Sequence, residues 1–151
     1  MKTRINIEKV EPAGYRAILG LEKFIESTPL TRTHKDLIKI RASQINGCAF
    51  CIDMHTHDAR KEGETEQRIY ALNAWRETPF FSEEERAILA LTEEVTLISN
   101  HVKDETYEQA AKVLDETYLA QVILAIITIN AWNRIGISTN LVPQARVEIG
   151  S

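Results

Sequence analysis

The chain lacks several features that would point to particular partners or compartments. No block of lysine and arginine marks a surface for nucleic acid or an anionic membrane, and the formal net charge is −4. Residues 1–8 lack the apolar core of a signal peptide. No stretch reaches the ~18 apolar residues of a membrane span, because polar side chains interrupt the longest apolar run, Leu119 to Trp132. The sequence therefore predicts a cytoplasmic protein that binds neither nucleic acid nor membrane.

Strand patterns are also missing. Residues 4–10 alternate weakly, but the segment is too short for a sheet, and we expect it to be an extended arm. No internal repeat or low-complexity segment occurs. With 151 residues, of which 44% are apolar, the chain is long enough to bury a core, and we expect a single domain that spans residues 1–151.

Apolar residues instead recur at helical spacing in about seven segments with short connections, which predicts an all-α domain. The predicted helices begin at Pro12, at Thr31 or Thr33, near Cys48, at Thr65, Ser82 and Asp104, and at residue 117. The last helix, residues 117–135, is apolar on nearly all sides, so it must be surrounded by protein in the core, at a subunit interface, or both. Gly136 is expected to loosen its end.

Both cysteines lie in one C-x-x-C motif at residues 48–51, and His55 follows four residues after Cys51. Because Asn46-Gly47 breaks the preceding helix, a new helix starts at or near Cys48. At ~100° per residue, Cys48, Cys51 and His55 fall within roughly 60° of one another on that helix. The two thiols are therefore within reach of a disulfide, and His55 can draw a proton from Cys51.

The residues alone leave open which cysteine attacks and which chemistry the motif serves. The helix terminus favours a thiolate at Cys48, whereas the histidine favours one at Cys51. A buried structural pair, or a metal site with His57 or Asp58 as a further ligand, are alternatives to redox chemistry. We favour redox chemistry, because His57 faces away from the cysteines and no second C-x-x-C is present. The helical pattern also argues against thioredoxin, which needs strands between its helices.

Residues 36–55, DLIKIRASQINGCAFCIDMH, carry a pattern of an acid, eleven residues, C-x-x-C, three residues and a histidine. This pattern resembles the signature of the AhpD-like alkylhydroperoxidases, in the carboxymuconolactone decarboxylase superfamily. The resemblance continues at residues 63–68, 74–81 and 130–134, and it covers roughly residues 12–138. The family acid is usually glutamate, so Asp36 keeps the carboxylate but is one methylene shorter.

The resemblance implies a thiol peroxidase. Cys51 would be the peroxidatic thiolate, Cys48 would condense with its sulfenic acid to a disulfide, and Asp36 and His55 would relay the proton. The redox-active disulfide would need no bound cofactor or metal, and an external dithiol, such as a dihydrolipoyl group on a partner protein, would reduce it. Family members are homo-oligomers, trimers or hexamers. A redox-sensing or assembly module, or another activity of the superfamily, are the alternatives.

Other polar and aromatic residues are assigned structural roles. The residues Asn130, Trp132, Asn133 and Arg134 need partners at the end of an apolar helix, and buried hydrogen bonding or an interface ion pair with a carboxylate would supply them. Trp75 and the Phe80-Phe81 pair are expected in the core or at an interface.

Overall fold

The computed structural model describes residues 1–146, and within this range the protein is all-α. The described α-helices are α1 (Ile7–Val10), α2 (Pro12–Ser27), α3 (Arg32–Asn46), α4 (Ala49–Lys61), α5 (Glu66–Tyr70), α6 (Glu83–Thr96), α7 (Asp104–Val113) and α8 (Glu116–Thr139). Two short 3₁₀ segments, Leu72–Glu77 and Ile98–Asn100, follow α5 and α6. No strand occurs among the described residues, and the predicted fold class is confirmed.

Side-chain caps explain where several helices begin. Thr31, Thr65, Ser82 and Asp115 each accept a hydrogen bond from the backbone N–H three residues later. At Ser82 the bond is reciprocal, because the Glu85 side chain accepts from the Ser82 backbone and completes a capping box. Of the two caps proposed for α3, Thr31 is the one that the structure uses.

The prediction of an extended arm over residues 4–10 was wrong for residues 7–10. Ile7–Val10 forms the short helix α1, and the Asn6 side chain accepts a hydrogen bond of 3.0 Å from the Lys9 backbone. This cap satisfies an N–H of the first turn, so it outweighs the weak alternation of apolar residues. With this additional helix, residues 1–146 contain eight α-helices, whereas about seven were expected.

The end of α8 also differs from the prediction. The helix continues past Gly136 to Thr139, and it ends at Asn140, which has a left-handed φ of 55°. Gly136 therefore lies inside the helix and does not end it. Its missing side chain allows the helix backbone to approach the sulfur of Cys48.

The core is built around α8 and α3. α8 packs against α2, α3, α6 and α7, and it also contacts α4. One buried cluster joins α8 residues such as Val122 and Ile126 to Ile38 of α3. A second cluster uses Leu37 and Ile40 of α3, so α3 has buried residues in both clusters. This arrangement leaves α4, with the C-x-x-C motif at its start, against both central helices.

The second cluster also contains the aromatic residues that the sequence assigned to the core or an interface. Trp75 and Phe81 are buried in it, and Phe80 packs against it. The core alternative of that prediction is therefore confirmed for Trp75 and Phe81.

Of the helices in the described part of the chain, α8 is long and apolar enough to cross a membrane by length and composition. Half of its most apolar window is buried inside the structure. The cytoplasmic location stays a prediction.

Candidate active site

The turn before α4 places Cys48 at the N-terminus of that helix. Gly47 ends α3 with a left-handed φ of 69°, and Cys48 is the N-cap residue of α4. The Cys48 Sγ atom accepts a hydrogen bond of 3.3 Å from the Cys51 backbone N–H. The sulfurs of Cys48 and Cys51 are bonded as a disulfide. The helix terminus therefore supports negative charge on the Cys48 sulfur whenever that bond opens.

Cys51 faces a cavity of 390 Å³ that Cys48 does not line. Both cysteines are nearly inaccessible to bulk solvent, with 3% and 1% of their surfaces exposed. Seven of the ten residues that line the cavity are apolar or aromatic: Tyr15, Leu19, Phe50, Met54, Trp132, Ile135 and Leu141. The other three lining residues are Glu22, Cys51 and His55. A small apolar molecule in this cavity would meet the sulfur of Cys51.

His55 lines the same cavity, one helical turn after Cys51. Burial, reinforced by the positive charge of Lys39, lowers the pKa of His55 to about 4 in the disulfide form. The imidazole is therefore neutral at pH 7 and has a lone pair that can accept a proton. A thiolate at Cys51 would raise this pKa, because the two groups titrate as a coupled pair.

The depressed pKa of His55 makes the stability of the oxidised protein depend on pH. The unfolded chain protonates His55 near ~6.5, whereas the folded chain protonates it only near 4, so the unfolded state binds more protons between these values. This contribution to stability is fully present above pH ~6.5 and is lost as the pH falls toward 4, by about 3 kcal/mol. Urea unfolding of the wild type and of His55→Gln should show this extra slope in the wild type alone. Parallel pH profiles would contradict the assignment.

Asp36 lies outside the cavity. Its carboxylate is buried and pairs with Arg32 at 3.2 Å, one turn earlier on α3. It lines a separate crevice together with Glu62, Glu64 and other charged residues. Burial raises the pKa of Asp36, although the charge of Arg32 opposes that rise. The structure thus brings Cys48, Cys51 and His55 together as predicted, with Cys51 and His55 on the cavity, whereas Asp36 lines a separate crevice.

Glu22 is the carboxylate that does line the cavity, and the sequence reasoning missed it. Trp132 Nε1 donates to Glu22 Oε2 at 3.0 Å, and Lys39 Nζ donates to Glu22 Oε1 at 2.8 Å. The sequence held one signal for it: Tyr15, Leu19 and Glu22 follow one another at helical spacing on α2. An acid on the apolar face of a helix needs a buried partner, but the sequence did not identify that partner as Lys39.

A buried hydrogen-bond network fastens the end of α3 to α8 beside the disulfide. Asn46 Nδ2 donates to the side-chain oxygens of Asn130 and Asn133, both at 2.9 Å. Asn133 is fully buried, and its Nδ2 donates to Ser43 Oγ at 3.0 Å. Arg134 donates to Asn130 Oδ1 at 3.2 Å. The predicted buried hydrogen bonding is confirmed for Asn130 and Asn133, whereas Arg134 is exposed. The network holds the turn that precedes Cys48.

Gly136 packs directly against the disulfide. A Cβ atom at this position would lie 2.9 Å from Cys48 Sγ and 3.5 Å from Cys51 Sγ. The first distance is shorter than van der Waals contact, so either the sulfur or the helix would have to shift.

Gly136→Ala should therefore destabilise the oxidised protein by about 1–3 kcal/mol, despite the better helix propensity of alanine. Gly20→Ala is the matched control, because a Cβ at Gly20 of α2 meets no atom within 4 Å. That control should be neutral or stabilise by up to ~1 kcal/mol. Urea denaturation of both variants tests the difference, and equal effects would show that the sulfur contact is unimportant.

No group of three or more His, Cys, Asp or Glu side chains within residues 1–146 is arranged to hold a metal ion. His57 lines a different crevice from the cysteines, next to Arg60 and Thr56. The described residues therefore give the metal-site alternative no ligand set around Cys48 and Cys51.

Comparison with known proteins agrees with this fold and site. Residues 12–94 match the model of the carboxymuconolactone decarboxylase family. The uncharacterized protein YdfG of Bacillus subtilis is 50% identical over 139 residues, which cover 91% of this chain and 95% of YdfG. The chain belongs to the carboxymuconolactone decarboxylase family.

Solved structures extend the similarity to the AhpD-like branch. A protein of unknown function from Agrobacterium tumefaciens, provisionally described as the antioxidant defence protein AhpD, superimposes with a TM-score of 0.93 at 38% identity. The match covers 96% of this chain and all 100% of the other. The debrominase Bmp8 shares the fold at 22% identity and a TM-score of 0.78, over 85% of this chain and 70% of Bmp8. The predicted resemblance to AhpD-like proteins is thus confirmed, while the fold also carries a different named activity.

Proposed function

We propose that the protein is a thiol-dependent peroxidase that reduces hydroperoxides through a Cys48–Cys51 dithiol and disulfide cycle. The observation that carries the proposal is the position of Cys51, which shares an apolar cavity with His55 and is bonded to Cys48 behind it. A redox pair that only sensed oxidation would have no use for a shaped cavity in front of one sulfur. The cavity therefore favours an enzyme over a redox-sensing module.

The oxidative half of the cycle starts from the reduced pair. Cys51 loses its thiol proton to His55, and the thiolate attacks the terminal oxygen of the hydroperoxide. The S–O bond forms as the O–O bond breaks, and the departing alkoxide takes the proton back from His55 and leaves as an alcohol. Cys51 is then a sulfenic acid. The thiolate of Cys48 displaces its hydroxyl, which leaves as water after taking a proton, and the disulfide forms.

The reductive half needs an external dithiol. Because Cys51 is the sulfur on the cavity, it is the one that the first thiolate of the reductant attacks. Cys48 is then the leaving group, and the backbone N–H of Cys51 stabilises its thiolate. The second thiol of the reductant resolves the mixed disulfide and releases reduced Cys51. A dihydrolipoyl group on a partner protein fits this step, since it supplies two thiols on one flexible arm.

The predicted proton relay contained Asp36 as well as His55. His55 lines the cavity, whereas Asp36 pairs with Arg32 outside it. A role for Asp36 therefore has to pass through groups that lie between the two crevices. Asp36→Asn in the turnover assay tests that role.

The lining of the cavity favours an organic hydroperoxide over hydrogen peroxide. Seven of the ten lining residues are apolar or aromatic, so a hydrophobic substituent on the peroxide would gain binding energy there. We also propose a homo-oligomer, trimer or hexamer, because α8 leaves Ile127 and Ile137 each 46% exposed, and Ile127 lines a mostly apolar groove.

The test is steady-state reduction of cumene hydroperoxide, tert-butyl hydroperoxide and hydrogen peroxide with dihydrolipoamide, dithiothreitol or glutathione as donor. The proposal expects repeated turnover with a dithiol, and a higher kcat/KM for cumene hydroperoxide than for hydrogen peroxide. Stoichiometric oxidation of the two thiols without turnover, under every donor, would instead identify a redox sensor.

A further inference from the structure

We propose that Glu22, on α2, is the carboxylate that supports His55 during proton transfer at Cys51, and that Lys39 and Trp132 hold it in place. The inference deepens the proposed peroxidase function and rests on it. It assigns Glu22 as a positioning residue that acts through His55. The family pattern assigns the proton relay to the acid that precedes the C-x-x-C, which is Asp36 in this chain. In this protein Glu22 would have that role.

The geometry of the cavity is the first reason. Glu22, His55 and Cys51 all line it, although Glu22 comes from α2 and the other two from α4. Both oxygens of Glu22 accept a hydrogen bond, one from Trp132 Nε1 at 3.0 Å and the other from Lys39 Nζ at 2.8 Å. Each carboxylate oxygen can accept a further hydrogen bond. Glu22 is thus fixed in orientation and still able to accept a bond from within the cavity.

The charge balance around Lys39 is the second reason. Its side chain is only 14% exposed, and its ammonium group contacts Glu22 at 2.8 Å and Glu26 at 3.1 Å. Lys35 also pairs with Glu26, at 3.5 Å, so the charge of Glu26 is shared with a second ammonium group. Glu22 pairs with Lys39 and lines the cavity with His55, so its negative charge stabilises an imidazolium more than a neutral imidazole.

The other charges that face His55 do not replace Glu22. Those from α3 are Lys39 and Arg32, and Asp58 comes from the same helix as His55. Glu22 and Asp58 favour the protonated imidazole, whereas Lys39 and Arg32 oppose it. α2 also places Tyr15 on the cavity, and α8 lines it with the uncharged Trp132 and Ile135. Of the two carboxylates that favour protonation, only Glu22 lines the cavity.

The step that Glu22 supports is the transfer of one proton. The Cys51 thiol gives its proton to the neutral His55 and becomes a thiolate. The imidazolium that forms faces the Glu22 carboxylate, which lowers the free energy of the separated charges. When the O–O bond breaks, the same proton leaves His55 for the alkoxide. Glu22 stays ionised throughout.

The first test measures the pKa of His55 by NMR in the disulfide form, where no peroxide chemistry takes place. Lys39→Met removes the opposing positive charge and should raise the His55 pKa by more than one unit, a tenfold change in proton affinity. Adding Glu22→Gln to that variant should reverse most of the rise. Glu26→Gln is the matched control, because Glu26 also pairs with Lys39 but does not line the cavity. If Glu26→Gln or Asp36→Asn reverses the rise and Glu22→Gln does not, the inference is wrong.

A second test keeps Lys39 intact and reads the thiol directly. In the Cys48→Ser protein, iodoacetamide alkylates Cys51 in proportion to its thiolate. Adding Glu22→Gln should slow alkylation about tenfold at pH 7 and move the midpoint of the pH profile upward, while Glu26→Gln stays within twofold of the parent. A Glu22→Gln rate within twofold of the parent would overturn the inference. If the reactivity of Cys51 depends on Glu22 but the wild-type protein does not turn over peroxide, the inference about Glu22 stands and the proposed peroxidase function is wrong.

Discussion

Cys51→Ser is expected to abolish hydroperoxide turnover, with a loss of at least ~10³-fold in kcat/KM. Cys51 is the sulfur that faces the cavity, and a serine hydroxyl at the same place is neither ionised at neutral pH nor oxidisable by a peroxide. The measurement is peroxide consumption with a dithiol donor at pH 7. Turnover within tenfold of the wild type would rule out Cys51 as the attacking sulfur.

Cys48→Ser supplies the matched control for that experiment, because it removes the other sulfur of the same pair. This variant should still consume one equivalent of peroxide at close to the wild-type single-turnover rate. Without a thiol donor it should then stop, since Cys51 sulfenic acid has no neighbouring thiol with which to form a disulfide. Loss of the first turnover as well would mean that Cys48 is the peroxidatic residue.

His55→Gln should lower the single-turnover rate of peroxide reduction by about 10²–10⁴-fold at pH 7. His55 shares the cavity with Cys51, and burial keeps its imidazole neutral, so it is available as a base at this pH. The difference in single-turnover rate between the wild type and His55→Gln should become smaller above pH ~8.5, where a free thiol ionises without a neighbouring base. A pH profile of the single-turnover rate measures both effects.

His57→Gln is the control for His55→Gln. His57 lies on the same helix two residues later, but it lines a different crevice. Its replacement should change the rate by less than about twofold. If both variants lose activity equally, the effect comes from α4 as a whole and not from a base at the cavity.

Much of the fold was predictable because its determinants are local. Thr31, Ser82 and Asp115 cap helices through atoms three residues away, and such spacings can be read from a sequence. The alignment of Cys48, Cys51 and His55 followed from the helical period in the same way. α1 was missed because a single cap at Asn6 decided a segment with a weak apolar pattern.

The rest of the site depends on contacts between helices that are distant in sequence. The spacing from Asp36 to Cys48 matches the family pattern, yet spacing does not say which carboxylate reaches the cavity. That outcome depends on the packing of α2 against α8, where Trp132 holds Glu22 across 110 residues of sequence. The sequence predicts only that Gly136 loosens the end of its helix, because the contact with Cys48, 88 positions away along the chain (136 − 48), cannot be read from local spacing.

The most direct test of the account identifies the sulfur that peroxide oxidises. Reduced Cys48→Ser and Cys51→Ser proteins are each treated with one equivalent of cumene hydroperoxide and an excess of dimedone, which traps sulfenic acids. Peptide mass spectrometry then locates the adduct. We predict an adduct at Cys51 in the Cys48→Ser protein and none at Cys48 in the Cys51→Ser protein. An adduct at Cys48 in the Cys51→Ser protein, with Cys51 unmodified in the Cys48→Ser protein, would contradict the proposal.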